Sequence, residues 1–396
     1  MYPDWPRSEA DLVPLPRCDG PKLEPFDFKG PQQIQFLEYL GEGTHSQVLK
    51  VKILGQIYAL KLFRFCWDED WLGRGPDNEE DDLEANTAFY NYLEPFSSEC
   101  RAFGRLREAG HEELAVKCFG YVLLDEEHER AMLSQFSNLE LNGSCPGFDD
   151  MRLRFLGRDG RPPPIRGIVK EFGPAMENMR NLEMRRILRD MVGLQQLGIV
   201  YIDIADRQII GGKISDFSTA LTVPHYLLTP ELNPHLTPEW ISAMEYEAFR
   251  FSLHDFIDFN EMARIWNEEH PEQKTKISFR ALPRGYGCDG YKFRRTPSRE
   301  AVYSLVDPRL YDWKDSTVGE KPRSIKGQVG TKQSGSGKHP QGIFRSRRRL
   351  QAKPPRWHYD CSQKTAAVLK SDSFSTSIQW VYKDGHIFPQ KKTSYV

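Results

Sequence analysis

The stretch Gly198-Ile-Val-Tyr-Ile-Asp203-Ile-Ala-Asp-Arg-Gln208-Ile-Ile-Gly-Gly-Lys-Ile-Ser-Asp216-Phe-Ser218 decides the fold predicted for the whole chain. Asp203 and Asp216 each follow a short apolar run, and β-prone residues between them flank Gly211-Gly212, a pair typical of tight turns. This pattern predicts a loop with one carboxylate, a short hairpin, and a second carboxylate at the end of the returning strand. Such a hairpin brings both acids into one cleft. For either aspartate alone, capping of a turn is the simpler interpretation.

The order and spacing of these residues resemble the catalytic loop and metal-binding turn of protein kinases: His-Arg-Asp, Asn five residues later, then Asp-Phe-Gly. Here they are Tyr201-Ile202-Asp203, Gln208 and Asp216-Phe217-Ser218. The resemblance implies that Asp203 acts near the acceptor hydroxyl and that Asp216 and Gln208 bind Mg²⁺ or Mn²⁺. The departures at positions 201, 208 and 218 predict weakened catalysis, since the extra methylene of Gln208 moves its amide oxygen by about 1.5 Å.

Five β-prone runs lie before this stretch. Residues 34–40, 47–54 and 56–63 predict an antiparallel meander, with Gly55 in a tight turn between the second and third strands. Residues 114–124 and 165–173 predict a fourth and a fifth strand. A sheet of five strands followed by helical segments is the order found in protein kinases.

A glycine-rich turn and a lysine on the next strand extend the resemblance. Leu40-Gly41-Glu-Gly43-Thr-His-Ser46-Gln-Val48 resembles Gly-x-Gly-x-x-Gly-x-Val, with a serine in place of the third glycine, and Tyr58-Ala-Leu-Lys61 resembles Val-Ala-Ile-Lys. A plain hairpin and a solvent-exposed lysine are the alternative interpretations. The resemblance implies contacts with ATP from Gly41, Gly43, Ser46, Val48 and Lys61.

A glutamate on a following helix is expected to pair with Lys61, as in kinases. Helical patterns at 85–93 and 98–109 are separated by Pro95, and Glu99 lies in the second. Glu94 is the competing candidate, but a residue that precedes a proline disfavours helix. The resemblance also implies that adenine binds through the backbone between Glu171 and Gly173.

The remainder of the predicted organisation follows from period and composition. Residues 182–197 show a helical period that ends at Gly198, and a longer helical pattern covers 239–266, with a break expected near Ser252. The acidic segment 67–84 is predicted to be a mobile loop, and the polar segment 125–164 a peripheral insertion.

The predicted domains are listed in chain order: an irregular lead-in at 1–33, a kinase-like N-lobe at 34–173, a C-lobe at 174–282, a flexible basic linker at 283–350, and a small segment at 351–396 with a hairpin around Asp384-Gly385. Within the linker, residues 321–350 are expected not to pack on the body.

Composition indicates a globular protein whose charge is unevenly distributed. Apolar residues make up 39% of 396, enough for a sizeable core, and no apolar run approaches the 18 residues of a membrane span. We therefore expect an intracellular protein, nuclear or cytoplasmic, without membrane contact. The seven cysteines lack Cys-x-x-Cys pairs, which argues against a zinc site or a disulfide framework.

The net charge of −2 divides into +14 for residues 281–396, where 23 Lys and Arg face 9 Asp and Glu, and −16 for the rest. This asymmetry predicts that the basic tail contacts nucleic acid or the acidic segment 67–84, unless it is simply solvated.

Four segments are also similar to a narrower group, a fungal family of kinase-like proteins named for a subunit of an inner-kinetochore complex. They are residues 40–46, Ser98–Leu106, Tyr201–Ile204, and Pro354–Trp357 with the Trp380 hairpin. The resemblance implies an α+β, kinase-like bilobal fold with a five-stranded antiparallel N-lobe sheet, a helical C-lobe and a flexible basic tail.

Three functions are compatible with these features. The first is a weak or specialised phosphotransferase for a protein substrate, with ATP and Mg²⁺ or Mn²⁺ as cofactors. The second is an inactive pseudokinase that serves as a scaffold for kinetochore or chromatin partners. The third is a small-molecule kinase.

Overall fold

One antiparallel sheet of five strands forms the centre of the first half of the chain. The computed structural model describes residues 2–66, 87, 90–143, 150–232, 236–282, 305–314, 347–355, 357, 379–383 and 386–390. The strands are β1 Gln35–Gly43, β2 Ser46–Ile53, β3 Gln56–Phe63, β4 Cys118–Leu123 and β5 Arg166–Glu171, in the spatial order β1-β2-β3-β5-β4. The helices are α1 Pro95–Ala109, α2 Glu126–Gln135, α3 Met151–Arg154, α4 Asn181–Gln196 and α5 Pro238–Glu269. The predicted α+β class and five-stranded antiparallel sheet are confirmed.

Short hairpins occur where the glycines predicted them. Leu54 and Gly55 connect β2 to β3 with φ angles of 50° and 81°, the left-handed values that a two-residue hairpin turn requires. The remaining small strands form pairs: β6 Ile199–Val200 with β9 Leu221–Thr222, β7 Ile209–Ile210 with β8 Lys213–Ile214, and β10 Gln379–Lys383 with β11 His386–Gln390. The predicted turn residues Asp384 and Gly385 lie outside the described residues.

Helix α1 begins earlier than its apolar pattern predicted. Glu94 is the N-cap, and its carboxylate accepts a hydrogen bond of 3.0 Å from the backbone N–H of Ser97. Pro95 occupies the first helical position, where its missing N–H leaves no bond unmade. The proline therefore starts this helix, and the helical residues 90–93 are separated from it at Glu94.

The segment 125–164, predicted to be peripheral, covers one face of the sheet. Met132 of α2, Leu141 and Met151 are almost fully buried and belong to the same apolar cluster as Leu60 and Val169. The adjacent Ile168 belongs instead to the cluster that contains α1, and neighbouring strand residues point to opposite faces. The sheet thus lies between α1 and this segment.

The N-terminal segment is irregular, as predicted, but it contributes to the core. Leu15 and Leu23 are buried and pair through backbone hydrogen bonds of 3.0 and 2.8 Å. Further along, Phe26 N–H donates to Tyr121 O at 2.8 Å, and Tyr121 N–H donates to Glu24 O at 3.1 Å. These bonds cover the outer edge of β4, which would otherwise present unpaired backbone groups.

Gly104 of α1 marks the place where this N-terminal segment crosses the helix. A Cβ at Gly104 would lie 2.5 Å from the backbone oxygen of Lys22. Alanine normally stabilises a helix relative to glycine by about 1 kcal/mol, but overpacking against backbone costs about 1–3 kcal/mol. We expect Gly104→Ala to lower the free energy of unfolding by about 1–2 kcal/mol in urea denaturation. A stabilised Gly104→Ala protein would show that the segment does not lie on α1.

Two predictions about the helical part differ in outcome. The bounds of helix α4 lie within one residue of the predicted 182–197. Gly198, two residues after its end, has a left-handed φ of 73°. Helix α5 continues through Ser252, where a break was predicted. The Ser252 hydroxyl donates to Ala248 O at 2.8 Å, so the helix itself satisfies this buried polar group. In the described part of the chain, no helix combines the length and apolar content that crossing a bilayer requires.

Residues 347–355, termed here the C-terminal strap, pack on the body although the tail was predicted not to pack before residue 351. Arg348 N–H donates to Ala109 O at 3.0 Å, at the end of α1. Gln351 N–H donates to the side-chain oxygen of Gln196 at 2.8 Å, and the Gln196 amide donates to Gln351 O at 3.1 Å. The strap therefore connects the ends of α1 and α4. Charge and low apolar content hid this docking, because backbone atoms make most of its bonds.

Candidate functional site

Lys61 joins two carboxylates from distant parts of the chain. Its Nζ on β3 lies 2.7 Å from Glu99 Oε2 on α1 and 2.6 Å from Asp216 Oδ1. The side chains of Lys61 and Glu99 are 3% and 0% exposed. The expected Lys61–Glu99 ion pair is present, and it lies in the protein interior.

Glu94, the competing partner for Lys61, pairs with Arg166 instead. The Glu94 Oε1 to Arg166 Nη1 distance is 2.8 Å, and both side chains are buried. The rings of Phe65 and Tyr2 lie 4.3 and 4.5 Å from the Arg166 guanidinium carbon. Glu94 therefore anchors the start of α1 inside an aromatic box, away from Lys61.

Lys170 is a fourth member of the ion network that sequence reasoning missed. Its Nζ lies 2.7 Å from Glu99 Oε1 and 2.8 Å from Ser215 O. Glu99 thus holds one lysine on each carboxylate oxygen, and the two lysines balance Glu99 and Asp216. The available signal was the strand period, because Lys170 shares a sheet face with buried Ile168 and a buried lysine needs a counter-charge.

The network keeps Lys61 and Asp216 ionised at neutral pH. Burial alone would raise the pKa of Asp216, but the charges of Lys61 and Lys170 and the Ser218 N–H hold that pKa well below its usual range. Burial lowers the pKa of Lys61, and Asp216 and Glu99 more than compensate, so the pKa of Lys61 is raised. Because the pKa of Asp216 is lower in the folded than in the unfolded chain, its stabilisation exists above the unfolded value and is lost as pH falls.

Asp203 and Gln208 form a separate cluster in the loop that precedes β7. Gln208 Nε2 donates to Asp203 Oδ2 at 2.9 Å, and Arg207 Nη2 lies 3.1 Å from the same oxygen. Gln208 Oε1 accepts from Ala205 N–H at 3.1 Å and from the Tyr201 hydroxyl at 3.2 Å. Both lone pairs of the amide oxygen are therefore occupied.

Of the two residues expected to bind Mg²⁺, Asp216 and Gln208, Gln208 does not fit that role. Mg²⁺ takes six oxygen ligands in a regular octahedron. The Gln208 oxygen is engaged within its own loop, and Asp216 Oδ1 accepts from Lys61 and, at 2.9 Å, from Ser218 N–H. Among the described residues, no group of three His, Cys, Asp or Glu side chains suits a metal ion.

Asp255 of α5 supports the strained backbone next to Asp203. Its Oδ1 accepts from Ile202 N–H at 2.7 Å, and its Oδ2 accepts from Tyr201 N–H and the Gln195 amide, both at 3.1 Å. Ile202 and Asp203 have φ angles of 51° and 76°, a conformation that costs energy for residues with a Cβ. Nothing in the local pattern singled out Asp255, since a polar residue within a long helix is usually exposed.

The Asp255 carboxylate should make stability depend on pH. Burial raises its pKa to about 7, against the bonds from Ile202, Gln195 and Tyr201. The folded protein therefore holds this proton more tightly than the unfolded chain, whose aspartates titrate near 4, and the free energy of unfolding falls as pH rises between these values.

We expect Asp255→Asn to remove this slope, measured by urea denaturation at intervals from pH 4.5 to 7.5. The variant should also be less stable at pH 5, because its amide would place an N–H₂ group against the Tyr201 N–H or the Ile202 N–H. Parallel pH profiles for the two proteins would show that Asp255 does not titrate in this range.

The glycine-rich turn has the geometry of a tight hairpin. Gly43 pairs with Ser46 across the β1–β2 turn, and Val48 pairs with Lys61 on β3. Gly41 has φ 143°, and a Cβ at Gly41 or Gly43 would meet no atom within 4 Å. A side chain at either of the first two glycines would therefore extend into open space, and β2 of this strand pair lies next to β3, which carries Lys61.

His45, which was not an expected site residue, and Glu171, which was, lie at the ends of this region. Nδ1 of His45, within the glycine-rich turn, lies 3.4 Å from Ser218 Oγ, so the turn approaches the segment that follows Asp216. Glu171 ends β5, and its N–H donates to Lys117 O at 2.8 Å. Its carboxylate is half exposed.

Comparison with known proteins assigns the chain to a family. A family model described as kinetochore Sim4 complex subunit FTA2 matches residues 12–221, which is just over half of the chain. No curated protein matches the chain. The matched region contains the five-stranded sheet, α1, α4 and the Lys61–Glu99–Lys170–Asp216 network. This chain belongs to the family of the kinetochore Sim4 complex subunit FTA2.

Proposed function

We propose that this protein is a non-catalytic structural subunit of a kinetochore complex, located in the nucleus. Its family is described as a subunit of the kinetochore Sim4 complex. The observation that carries the proposal is the Gln208 amide, whose oxygen is occupied by Tyr201 and Ala205 and whose nitrogen is bound to Asp203. Phosphoryl transfer needs this position for a metal ligand.

The proposed architecture is a kinase-like bilobal one, used as a scaffold. In this arrangement β3 and α1 contribute Lys61 and Glu99 to the site, and the segment that follows α4 contributes Asp203 and Asp216. Helix α1 is held rigidly between β3 and that segment, because the buried guanidinium of Arg101 donates to Thr222 O at 3.2 Å. A helix fixed in this way suits a protein that presents constant surfaces to its partners.

Replacement of Asp203 by Asn tests the proposal. Asp203 is half exposed and its pair with Arg207 is a surface salt bridge, so the change should alter stability by less than about 1 kcal/mol. We expect normal growth and normal kinetochore localisation of the tagged variant in its own host. With labelled ATP and Mg²⁺ or Mn²⁺, the wild-type protein should transfer no more phosphate than Asp203→Asn does. Transfer above that level, lost together with cellular function, would establish an enzyme instead.

A second candidate function is ATP binding without turnover, which the placement of Lys61 between Glu99 and Asp216 favours. Thermal unfolding with ATP in Mg²⁺, in Mn²⁺ or in EDTA tests it. Binding at a hundredfold excess over Kd would stabilise the protein by about 2.7 kcal/mol. The ATP-dependent shift should disappear in Lys61→Met, measured against the same variant without ATP. A wild-type protein that shows no shift excludes this candidate.

A further inference from the structure

Helix α4 presents three arginines to solvent along one side. Arg185, Arg186 and Arg189 are exposed, whereas the intervening Ile187 and Leu188 are buried. Residues four apart lie on one face of a helix, and Arg185 and Arg189 are separated by about 6 Å along the axis. These three arginines also line a surface depression of about 470 Å³.

The C-terminal strap extends this basic side beyond the helix. Arg347, Arg349 and Lys353 are exposed, while Leu350 is partly buried against the core. Arg348 turns inward, with its guanidinium carbon 4.0 Å from the centre of the Tyr311 ring. This alternation, typical of an extended segment, places every second residue outward.

The strap and α4 are fixed side by side. Leu350 Cδ1 lies 3.5 Å from the Cβ position of Gly193, one turn after Arg189, and the Gln196 amide makes two hydrogen bonds with the Gln351 backbone. Arg349 is therefore held beside α4 by the residues on both sides of it. Two elements distant in sequence form one surface.

This surface, termed the α4–strap surface, is positive in a mostly acidic protein. Its basic residues are Arg185, Arg186, Arg189, Arg347, Arg349 and Lys353. Three acids lie nearby: Glu113, Glu183 and Asp190. Of these, Glu113 pairs with Arg347. Six positive and three negative charges leave a net +3.

We propose that the α4–strap surface binds the phosphate backbone of double-stranded DNA without reading its sequence. The 16 residues of α4 extend about 24 Å, and each DNA strand offers a phosphate about every 3.4 Å of helix axis. Arginine guanidinium groups bind phosphate oxygens in a bidentate manner. An acidic protein segment is the other polyanion to consider, but protein interfaces have an apolar or aromatic centre. This depression is lined by four charged residues and one exposed large apolar residue, Leu182, so it lacks such a centre.

Binding of the full-length chain to a fluorescent 25-base-pair duplex tests the proposal. Arg189→Glu with Arg349→Glu changes one residue on each element, both exposed. The matched control, Lys52→Glu with Arg130→Glu, makes the same charge change at exposed positions on β2 and α2. We expect the control to bind like the wild type and the surface variant to bind at least about tenfold more weakly at 0.15 M salt. Loss of two phosphate contacts should also reduce the slope of log K against log salt by about 1.8.

The outcomes separate this proposal from its alternatives. No duplex binding by the wild type, or equal losses in both double variants, overturns it. Preferential binding of a peptide of residues 67–84, with no binding of duplex, also overturns it in favour of a protein ligand. Arg185→Gln with Arg189→Gln provides a milder neutralising variant if the charge reversals unfold the chain. Because the assay uses purified protein and DNA, its result does not depend on the kinetochore proposal.

Discussion

Replacing Glu99 by alanine should lower the free energy of unfolding by about 3–5 kcal/mol, because it leaves two buried lysines without their shared counter-ion. The Glu99 side chain is fully buried, and those of Lys61 and Lys170 are 3% and 8% exposed. Water cannot reach the ammonium groups to replace the lost carboxylate. Urea denaturation at pH 7 measures the change.

Two controls make this expectation specific to charge. Glu112→Ala removes an exposed glutamate just after α1 and should change stability by no more than about 0.5 kcal/mol. Glu99→Gln combined with Lys170→Met removes one charge of each sign and leaves Lys61 paired with Asp216. This double variant should be more stable than Glu99→Ala. A cost below about 1 kcal/mol for Glu99→Ala would show that the network does not form.

The second large effect is expected for Glu94→Ala, with a loss of about 4 kcal/mol. The change removes the N-cap of α1, a contribution of about 1 kcal/mol, and leaves the buried Arg166 guanidinium unpaired, which costs about 3–5 kcal/mol. The two terms share one side chain and need not add fully. Thermal and urea unfolding should agree on the size of the loss.

Glu94→Gln separates the two terms. Its amide oxygen can still accept from Ser97 N–H, so the cap persists while the charge is lost. We expect an intermediate loss, and Arg166→Met should recover part of it, since the aromatic box around Arg166 suits an apolar side chain. Equal stability of Glu94→Gln and Glu94→Ala would assign the whole effect to the ion pair.

The Glu94–Arg166 pair and the network around Glu99 explain how α1 is fixed. Glu94 secures its first turn, Glu99 its second, and the buried Arg105 donates to Leu197 O at 2.9 Å from its third. The C-terminal strap then meets its last residue, Ala109. A buried helix bound at every turn holds the elements packed around it in fixed positions, which is the property that the proposed structural role requires.

Local patterns in the sequence predicted the five strands, helix α4 and three members of the network. Runs of β-prone residues predicted the five strands, because such a run is visible in any short window. Glycines at 55 and 211–212 predicted their turns, because left-handed backbone favours glycine. The resemblance to protein kinases implied that Lys61, Glu99 and Asp216 meet in one place, because each matches a kinase motif in the same chain order.

Tertiary structure alone decided the remaining features. The strand period could place Lys170 on a buried face of the sheet but could not identify its partner, and Asp255 has no local signature. Their roles arise from the Glu99 carboxylate and the strained Ile202–Asp203 backbone, which packing places within hydrogen-bond distance. The N-terminal segment, residues 125–164 and the C-terminal strap read as polar and irregular, yet each docks through backbone hydrogen bonds and a few buried side chains. Such docking has no period along the chain, so it is determined only when the sheet and helices already exist.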